Sequence, residues 1–507
     1  MAKTISQFHN MQPDVPEWTD ANHMYSLTNV DPLYYLAEGG QEKQTFPLVA
    51  SRAFTTLTTG VAATITSMIP TETNLYFDVF TTYDNGSVYG FSAVKDGTGA
   101  ITSTSVSVMG FAFGGGGGIT GINNKITVFA NKLVGIRYKI TDPNGSGSMS
   151  YTNVLAQIGS ASSWTSYAWN AVTNPYEYNA NPETAVFQDK LWVSDKYNQN
   201  TMSAVRGYTN TGATLVQDTS LVLNIPTNYS ILRMANYRNK YLAVAGAYSS
   251  VSSATAPGGM VQNSRNYIFM FNGISKTYQY TVPLPGSFVD MIMVEDDLKV
   301  LLQNKFGQYS VYTLNGTKLS LDHVLQIDTP QQLPLFSYLG LLGINLTTKG
   351  VYIMGKTKQG EVKYIYTNQN FSNLIAGTLQ SSLYSYNGSN LYSQQVIGSS
   401  YNDVTAVSQW VGLNTKLSSV DVTYDTPPQA VGDYIRVTLD GFSEDQADGV
   451  TTVVLNDITS TNKQTRIKTT LDTKGLTPSM ARLTVQTHST GAWRPIIREL
   501  QLNESKV

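Results

Sequence analysis

ITVFANKLVGIRY, residues 126–138, decides how this chain is read. An alternating run (Ile126, Val128) meets a polar reversal at Asn131-Lys132, and a second apolar run leaves it at Leu133. Two short strands with small polar residues between them make a β-hairpin. Further copies read NPETAVFQDKLWVSD (Asn181–Asp195), RMANYRNKYLAVAG (Arg233–Gly246), DMIMVEDDLKVLLQN (Asp290–Asn304) and LGINLTTKGVYIMGK (Leu342–Lys356). A weaker copy opens at Thr73–Phe77, and a degenerate one lies at Asn387–Leu391.

The first apolar residue after each turn marks the repeat: Leu75, Leu133, Leu191, Tyr241, Leu298, Val351 and Leu391, in steps of 58, 58, 50, 57, 53 and 40 residues. Second hairpins fit between marks at Asn266–Tyr280 and Gly307–Leu321, and a strand at Glu361–Thr367. About four strands per such period is the arithmetic of a β-propeller blade. The expectation is an all-β chain: a β-propeller of about seven blades, with six to eight permitted, over residues 46–400.

From about Asn402 the texture changes. Ser418–Tyr424, Tyr434–Leu439, Val450–Leu455, Gln464–Leu471, Ala481–Thr487 and Ile496–Leu502 read as antiparallel strands, separated by turn signals such as Pro427-Pro428 and Asp448-Gly449. Residues 401–507 are therefore expected to form a β-sandwich or jelly roll. Residues 1–45, broken by Pro13, Pro16 and Pro32, are expected to be an irregular arm lying on its own propeller or on a neighbouring subunit.

Composition removes several classes of function. Charged residues are 13% of 507 and the formal net charge is −2, which gives no electrostatic footprint for nucleic acid. There is no cysteine, which excludes disulfides, thiolate catalysis and cysteine-ligated zinc. The first residues carry no apolar signal-peptide core, and no apolar run is long enough to span a membrane as a helix, so no membrane insertion is expected.

Chemistry is sparse. The four histidines (His9, His23, His323, His488) show no metal-ligand spacing, and neither HExxH nor a Gly-x-Ser-x-Gly elbow occurs. Gly114–Gly118 lacks the Gly-Lys-Ser/Thr of a phosphate loop and reads as an inter-strand loop. Glu295-Asp296-Asp297 falls on a hairpin turn, where a solvated turn is the simpler reading than half of a glycosidase carboxylate pair; Asp14 and Glu17 are the other acidic cluster. Tyr176, Tyr178, Tyr384, Tyr386, Tyr392, Tyr401, Trp164 and Trp169 suit either a sugar-stacking rim or ordinary strand faces. In WRPIIRELQL (Trp493–Leu502) strict alternation sets Arg498 on the face of Ile496, Leu500 and Leu502. The charge must then be paired, snorkel out or meet a partner, unless a bulge near Pro495 breaks the parity.

A cysteine-free, Asn/Tyr/Gly-rich chain of this length, with a signature-poor propeller, a terminal sandwich with closing strands like Ala481–Thr487 and Pro495–Leu502, and a polar N-terminus, resembles the tail nozzle (stabilisation) proteins of short-tailed bacteriophages. The resemblance lies in layout and not in any motif. It implies a non-enzymatic virion tail protein, made in the host cytoplasm and without cofactor. It further implies a ring, commonly of six subunits, that meets portal, adaptor and tail fibre proteins, retains double-stranded DNA and guides its exit. Phe8, Trp18, Tyr34, Tyr35, Trp493 and Arg498 are the candidate docking residues. The competing expectation is a carbohydrate-binding propeller, with a glycoside hydrolase behind it.

Overall fold

The computed structural model describes residues 2–5, 24–29, 48–51, 53–57, 64–71, 74–80, 85–92, 106–112, 119–141, 149–157, 165–172, 183–194, 204–211, 215–226, 229–249, 262–325, 329–348, 350–357, 360–367, 373–376, 383–394, 401–415, 417–442, 450–468, 480–491 and 493–505. Every regular element among them is a β-strand. The chain divides into two compact units: Thr56–Gly340 with Ser372–Ser393, and Met1–Thr55 with Leu341–Phe371 and Gln394–Val507.

The first of these units holds five four-stranded antiparallel sheets, each made of four consecutive strands. The first sheet runs Thr64–Pro70, Asn74–Phe80, Asn85–Ser92, Val106–Ala112, and the second Ile119–Phe129, Lys132–Thr141, Met149–Gln157, Thr165–Val172. The third is Thr184–Phe187, Lys190–Ser194, Ala204–Asn210, Leu215–Asn224 and the fourth Tyr229–Tyr237, Tyr241–Ser249, Gln262–Phe271, Tyr280–Pro283. The fifth is Ser287–Val294, Asp297–Gln303, Tyr309–Asn315, Lys318–Leu325. Strand Pro330–Tyr338 follows, and later Asn373–Ala376, Leu383–Asn387 and Asn390–Gln394 pair in order.

The expected hairpins form, with their turns set by backbone chirality. Ala130 (φ 49°) with Asn131 (57°), Gln188 (49°) with Asp189 (56°), and Arg238 with Asn239 (both 53°) give the paired left-handed residues of type I′ turns, whose twist matches the flanking strands. The quoted reversal therefore sits at Ala130-Asn131, one residue earlier than expected, because Lys132 already pairs with Phe129. Val351 and Leu391 belong to the second hairpins of their sheets, so their marks measured a different turn from the others.

Successive sheets bury both faces against one another. In the fourth sheet Leu242, Val244, Phe269 and Phe271 join Phe187 and Trp192 of the third sheet in one core. Ala243, Ala245, Ile268 and Met270 point the other way, to Phe288, Leu298 and Val300 of the fifth. Phe129 and Val134 of the second sheet share a core with Leu191 and Tyr208 of the third. The first strands touch in sequence: Thr64–Pro70 on Ile119–Phe129, Thr184–Phe187 on Tyr229–Tyr237, then Ser287–Val294, Pro330–Tyr338 and Asn373–Ala376, which returns to Thr64–Pro70. Polar clips reinforce the packing, as where the Tyr237 hydroxyl donates to the Leu314 carbonyl at 3.1 Å. Gly273 (φ 74°) admits no side chain, since a Cβ there would lie 2.3 Å from the Gln188 amide oxygen.

In the second unit Ile496–Glu504 is flanked by Leu417–Tyr424 and by Ala2–Ile5, while Met480–His488 lies between Tyr434–Phe442 and Val404–Ser408. Tyr434–Phe442 and Met480–His488 alternate strictly between buried and half-buried residues, so each has one core face. Part of the segment expected to be irregular is strand. Ala2–Ile5 pairs with Leu500–Asn503, and Met24–Thr28 with Val404–Ser408. These strands have no hairpin partner nearby in sequence, which hid them. Residues 341–371, expected in the propeller, cluster with this unit.

Asp433, 1% exposed, ties two loops of this unit together. Its Oδ1 accepts from the Thr490 backbone N (2.7 Å) and hydroxyl (2.8 Å), and its Oδ2 from the Ala430 N (2.8 Å) and Gln429 N (3.2 Å). Burial alone would raise the carboxyl pKa; the donors from Thr490, Ala430 and Gln429 outweigh it and hold the pKa below its ordinary value. Asp433 therefore stabilises the fold fully above the unfolded-state pKa of about 3.9, and that contribution is lost as pH falls through the lower folded-state value. Asp433→Asn is expected to cost about 1–3 kcal/mol at neutral pH, with a smaller gap from wild type in acid. Urea melts at pH 7 and pH 3 measure both.

Candidate functional site

Four charges recur at one position of the repeat. Lys125, Glu183, Arg233 and Asp290 each stand eight residues before Leu133, Leu191, Tyr241 and Leu298, on or beside the first strands of four successive sheets. Ser67 holds the same position before Leu75, and its hydroxyl accepts from the Ile126 backbone N at 3.1 Å. The ladder slips just before this position in three sheets, between Ile65 and Ser67, Ile231 and Arg233, and Phe288 and Asp290. A bulge adds a residue and turns the next side chain to the other face. Here the residues so placed meet across neighbouring sheets.

The result is an alternating ion chain. Lys125 Nζ lies 3.2 Å from Glu183 Oε2, Arg233 Nη1 3.3 Å from Glu183 Oε1, and Arg233 Nε 2.9 Å from Asp290 Oδ1. Asp290 also accepts from the Met291 N (2.8 Å) and, on Oδ2, from the Leu335 N at 2.9 Å, which carries the chain to strand Pro330–Tyr338. Glu183 is fixed by Ser194, whose Oγ accepts its N–H and whose N–H reaches its carbonyl, both at 2.9 Å.

Side-chain exposure splits by sign: 26% for Lys125 and 20% for Arg233, against 3% for Glu183 and 0% for Asp290. Burial lowers the Lys125 pKa, with Glu183 opposing. Burial likewise opposes the Arg233 charge, yet Asp290 and then Glu183 raise that pKa above its ordinary value. Burial raises the Asp290 carboxyl, while Arg233 and the two backbone donors pull it down. Above the chain opens a cavity of about 520 Å³, walled by Thr184–Val186, Met234, Ala235 and Met291–Met293, with Asn236, Arg238, Asn239, Glu295 and Asp296 at its hairpin rim.

Phe8, Trp18, Tyr34 and Tyr35 lie outside the described residues, as do Asp14, Glu17, His9, His23, Gly114–Gly118, Trp164, Tyr176 and Tyr178. Trp493 is buried and its Nε1 donates to the Thr426 carbonyl at 3.2 Å. Arg498 forms a fork with Asp425, Nε to Oδ1 at 2.7 Å and Nη2 to Oδ2 at 2.5 Å. Its parity is broken by a bulge at Arg498 itself, not at Pro495: Thr423 pairs with Glu499 and Tyr424 with Ile497, which takes the core position. Among the aromatic candidates, Tyr384 is buried and Tyr401 lies under the Arg494 guanidinium at 5.2 Å. Glu295-Asp296-Asp297 is a hairpin turn, with Asp297 held by Arg238 at 3.2 Å. His488 bonds Asp403 at 2.8 Å and stacks on Tyr434. Among the described residues no group of three His, Asp or Glu is placed to hold a metal.

No protein-family model matches this sequence, and no curated protein matches it. Among solved structures, a chain of the crystal structure of the mitotic checkpoint complex is similar with a TM-score of 0.42 and 9% identity, over 71% of this chain and 98% of that one. A likeness at that level assigns neither family nor activity.

Breaking the ion chain at its centre separates the ladder from mere surface pairing. Arg233→Met leaves Glu183 with Lys125 alone and Asp290 without a counter-ion, and is expected to cost about 3–5 kcal/mol. Arg233→Met combined with Asp290→Asn is expected to cost clearly less than the sum of the single changes. Urea unfolding of the four proteins in the cycle gives the coupling energy; additive costs would refute the chain.

Proposed function

We propose that Thr56–Gly340 with Ser372–Ser393 is a seven-bladed β-propeller, that a β-sandwich follows it, and that the protein is a non-enzymatic structural subunit of a tailed-phage nozzle ring. Seven first strands support the blade count: six of the seven neighbouring pairs touch, and the Lys125–Glu183 ion pair bridges the seventh. The observation that carries the functional reading is the ion chain itself. The acids and bases of the innermost strands neutralise one another sheet by sheet, and both chain carboxylates are sealed from solvent. Such an interior favours rigidity over turnover, since a general acid or base needs an open line to its substrate. Rigid blocks suit a conduit under pressure, and a chain with 13% charged residues suits permanent interfaces, where unpaired ions are costly.

In native mass spectrometry the purified protein is expected to form one closed oligomer, alone or on addition of a portal–adaptor complex, and electron microscopy should show a ring with an open axis. A monomer at every concentration that joins no such complex would end the nozzle reading; saturable binding on a glycan array by that monomer would put a lectin in its place.

A further inference from the structure

We infer that the cavity above the ion chain is a binding site for an acidic sugar, with the sugar carboxylate seated on Lys125 and Arg233. The inference stands apart from the assembly reading and needs no ring.

Its first support is a donor inventory. An ammonium has three N–H donors and a guanidinium five. Glu183 takes one from Lys125, and Glu183 and Asp290 take two from Arg233. That leaves five donors on two side chains that line the cavity, 26% and 20% exposed, while the carboxylates that balance their charge are almost sealed. The floor therefore offers many hydrogen-bond donors and few acceptors, the complement of a carboxylate.

The second support is the choice of anion. Glu183, Glu295 and Asp296 line the cavity with Lys125, Arg233 and Arg238, and Asp290 lies sealed behind Arg233, so four carboxylates stand in or behind the wall for three cations. A phosphate dianion would meet repulsion from this set, whereas a monoanion on the floor adds a single charge where the two cations are nearest. Glu295 and Asp296 are exposed at the rim, where solvent and salt screen them.

The third is the rest of the lining. Asn239 and Asp296 at the rim supply donors and acceptors for hydroxyl groups, and Ala185, Val186, Ile292 and Met293 supply a partly exposed apolar wall for a pyranose C–H face. A volume of about 520 Å³ has room for one or two sugar rings.

Isothermal titration of the full chain with glucuronate, its methyl ester, glucose and sulfate tests this directly. Saturable glucuronate binding is expected in the range of about 0.1–10 mM, with the ester, glucose and sulfate weaker by about tenfold or more. Lys125→Gln, at the partly exposed end of the chain, is expected to weaken glucuronate by about tenfold. In the wild type, the ¹³Cε shift of isotope-labelled Lys125 should move on glucuronate and not on glucose. Equal binding of acid and ester, sulfate as tight as glucuronate, no saturable glucuronate binding, or an unmoved Lys125 signal would each overturn the proposal. The ester comparison uses unaltered protein, so a Lys125→Gln chain that fails to fold does not shelter the idea.

Discussion

Arg233 sits between two carboxylates that have almost no contact with water, and the order of the sheets depends on that placement. Burying an ion costs several kcal/mol unless a partner of opposite sign and further hydrogen bonds replace its hydration. Within this chain of charges no sheet supplies the counter-ion of its own member. Glu183 of the third sheet is neutralised by Lys125 of the second and Arg233 of the fourth, and Asp290 of the fifth by Arg233 and by backbone donors at Met291 and Leu335. Exchanging any two adjacent sheets of these four would set like charges together. The chain thus acts on specificity more than on net stability, since hydrophobic replacements of buried ion pairs are often neutral or stabilising.

The bulges and the double-sided cores follow from the same geometry. A sheet pressed between two others has no polar face, so Leu242–Ala247 is buried throughout and shows no alternation of polarity. Only a register slip can send one polar side chain from such a strand to meet its neighbours, and it occurs just ahead of Ser67, Arg233 and Asp290. Sheets buried on both faces also account for a composition with so few charges.

How legible all this was in the sequence varies by element. Hairpin turns were readable because type I′ geometry demands particular residues, and the copies at Ile126–Tyr138, Asn181–Asp195, Arg233–Gly246 and Asp290–Asn304 all fold as antiparallel pairs. The ion chain was present in the same text, at a constant offset of eight residues from the repeat marks. It escaped notice because one charge in an apolar strand looks like a surface position, and alternating signs defeat a search for identical residues. Arg498 was legible only as a choice between a paired charge and a bulge, because parity predicts faces only while the ladder is regular, and the bulge lies on that residue. Ala2–Ile5 and Met24–Thr28 were illegible because their partners lie some 400 to 500 positions away, beyond any local pattern.

The character of the cavity floor comes from side-chain length more than from the sum of charges. All four residues of the ion chain leave the backbone at equivalent points on or beside the first strands of their sheets, so a short carboxylate ends within the wall. Lysine and arginine have longer apolar stems, which can lie in the wall while their polar ends reach the opening. Exposure follows that order: none for Asp290, 3% for Glu183, 20% for Arg233 and 26% for Lys125. A chain of formal net charge zero therefore presents a donor-rich, cationic surface on one side and anchors it with sealed anions on the other. Swapping signs along the chain would keep the electrostatic balance yet bury the longer side chains' free donors at different sheets, moving the polar floor around the wall. The same four residues thus fix both the order of the sheets and where the cavity can hold an anion.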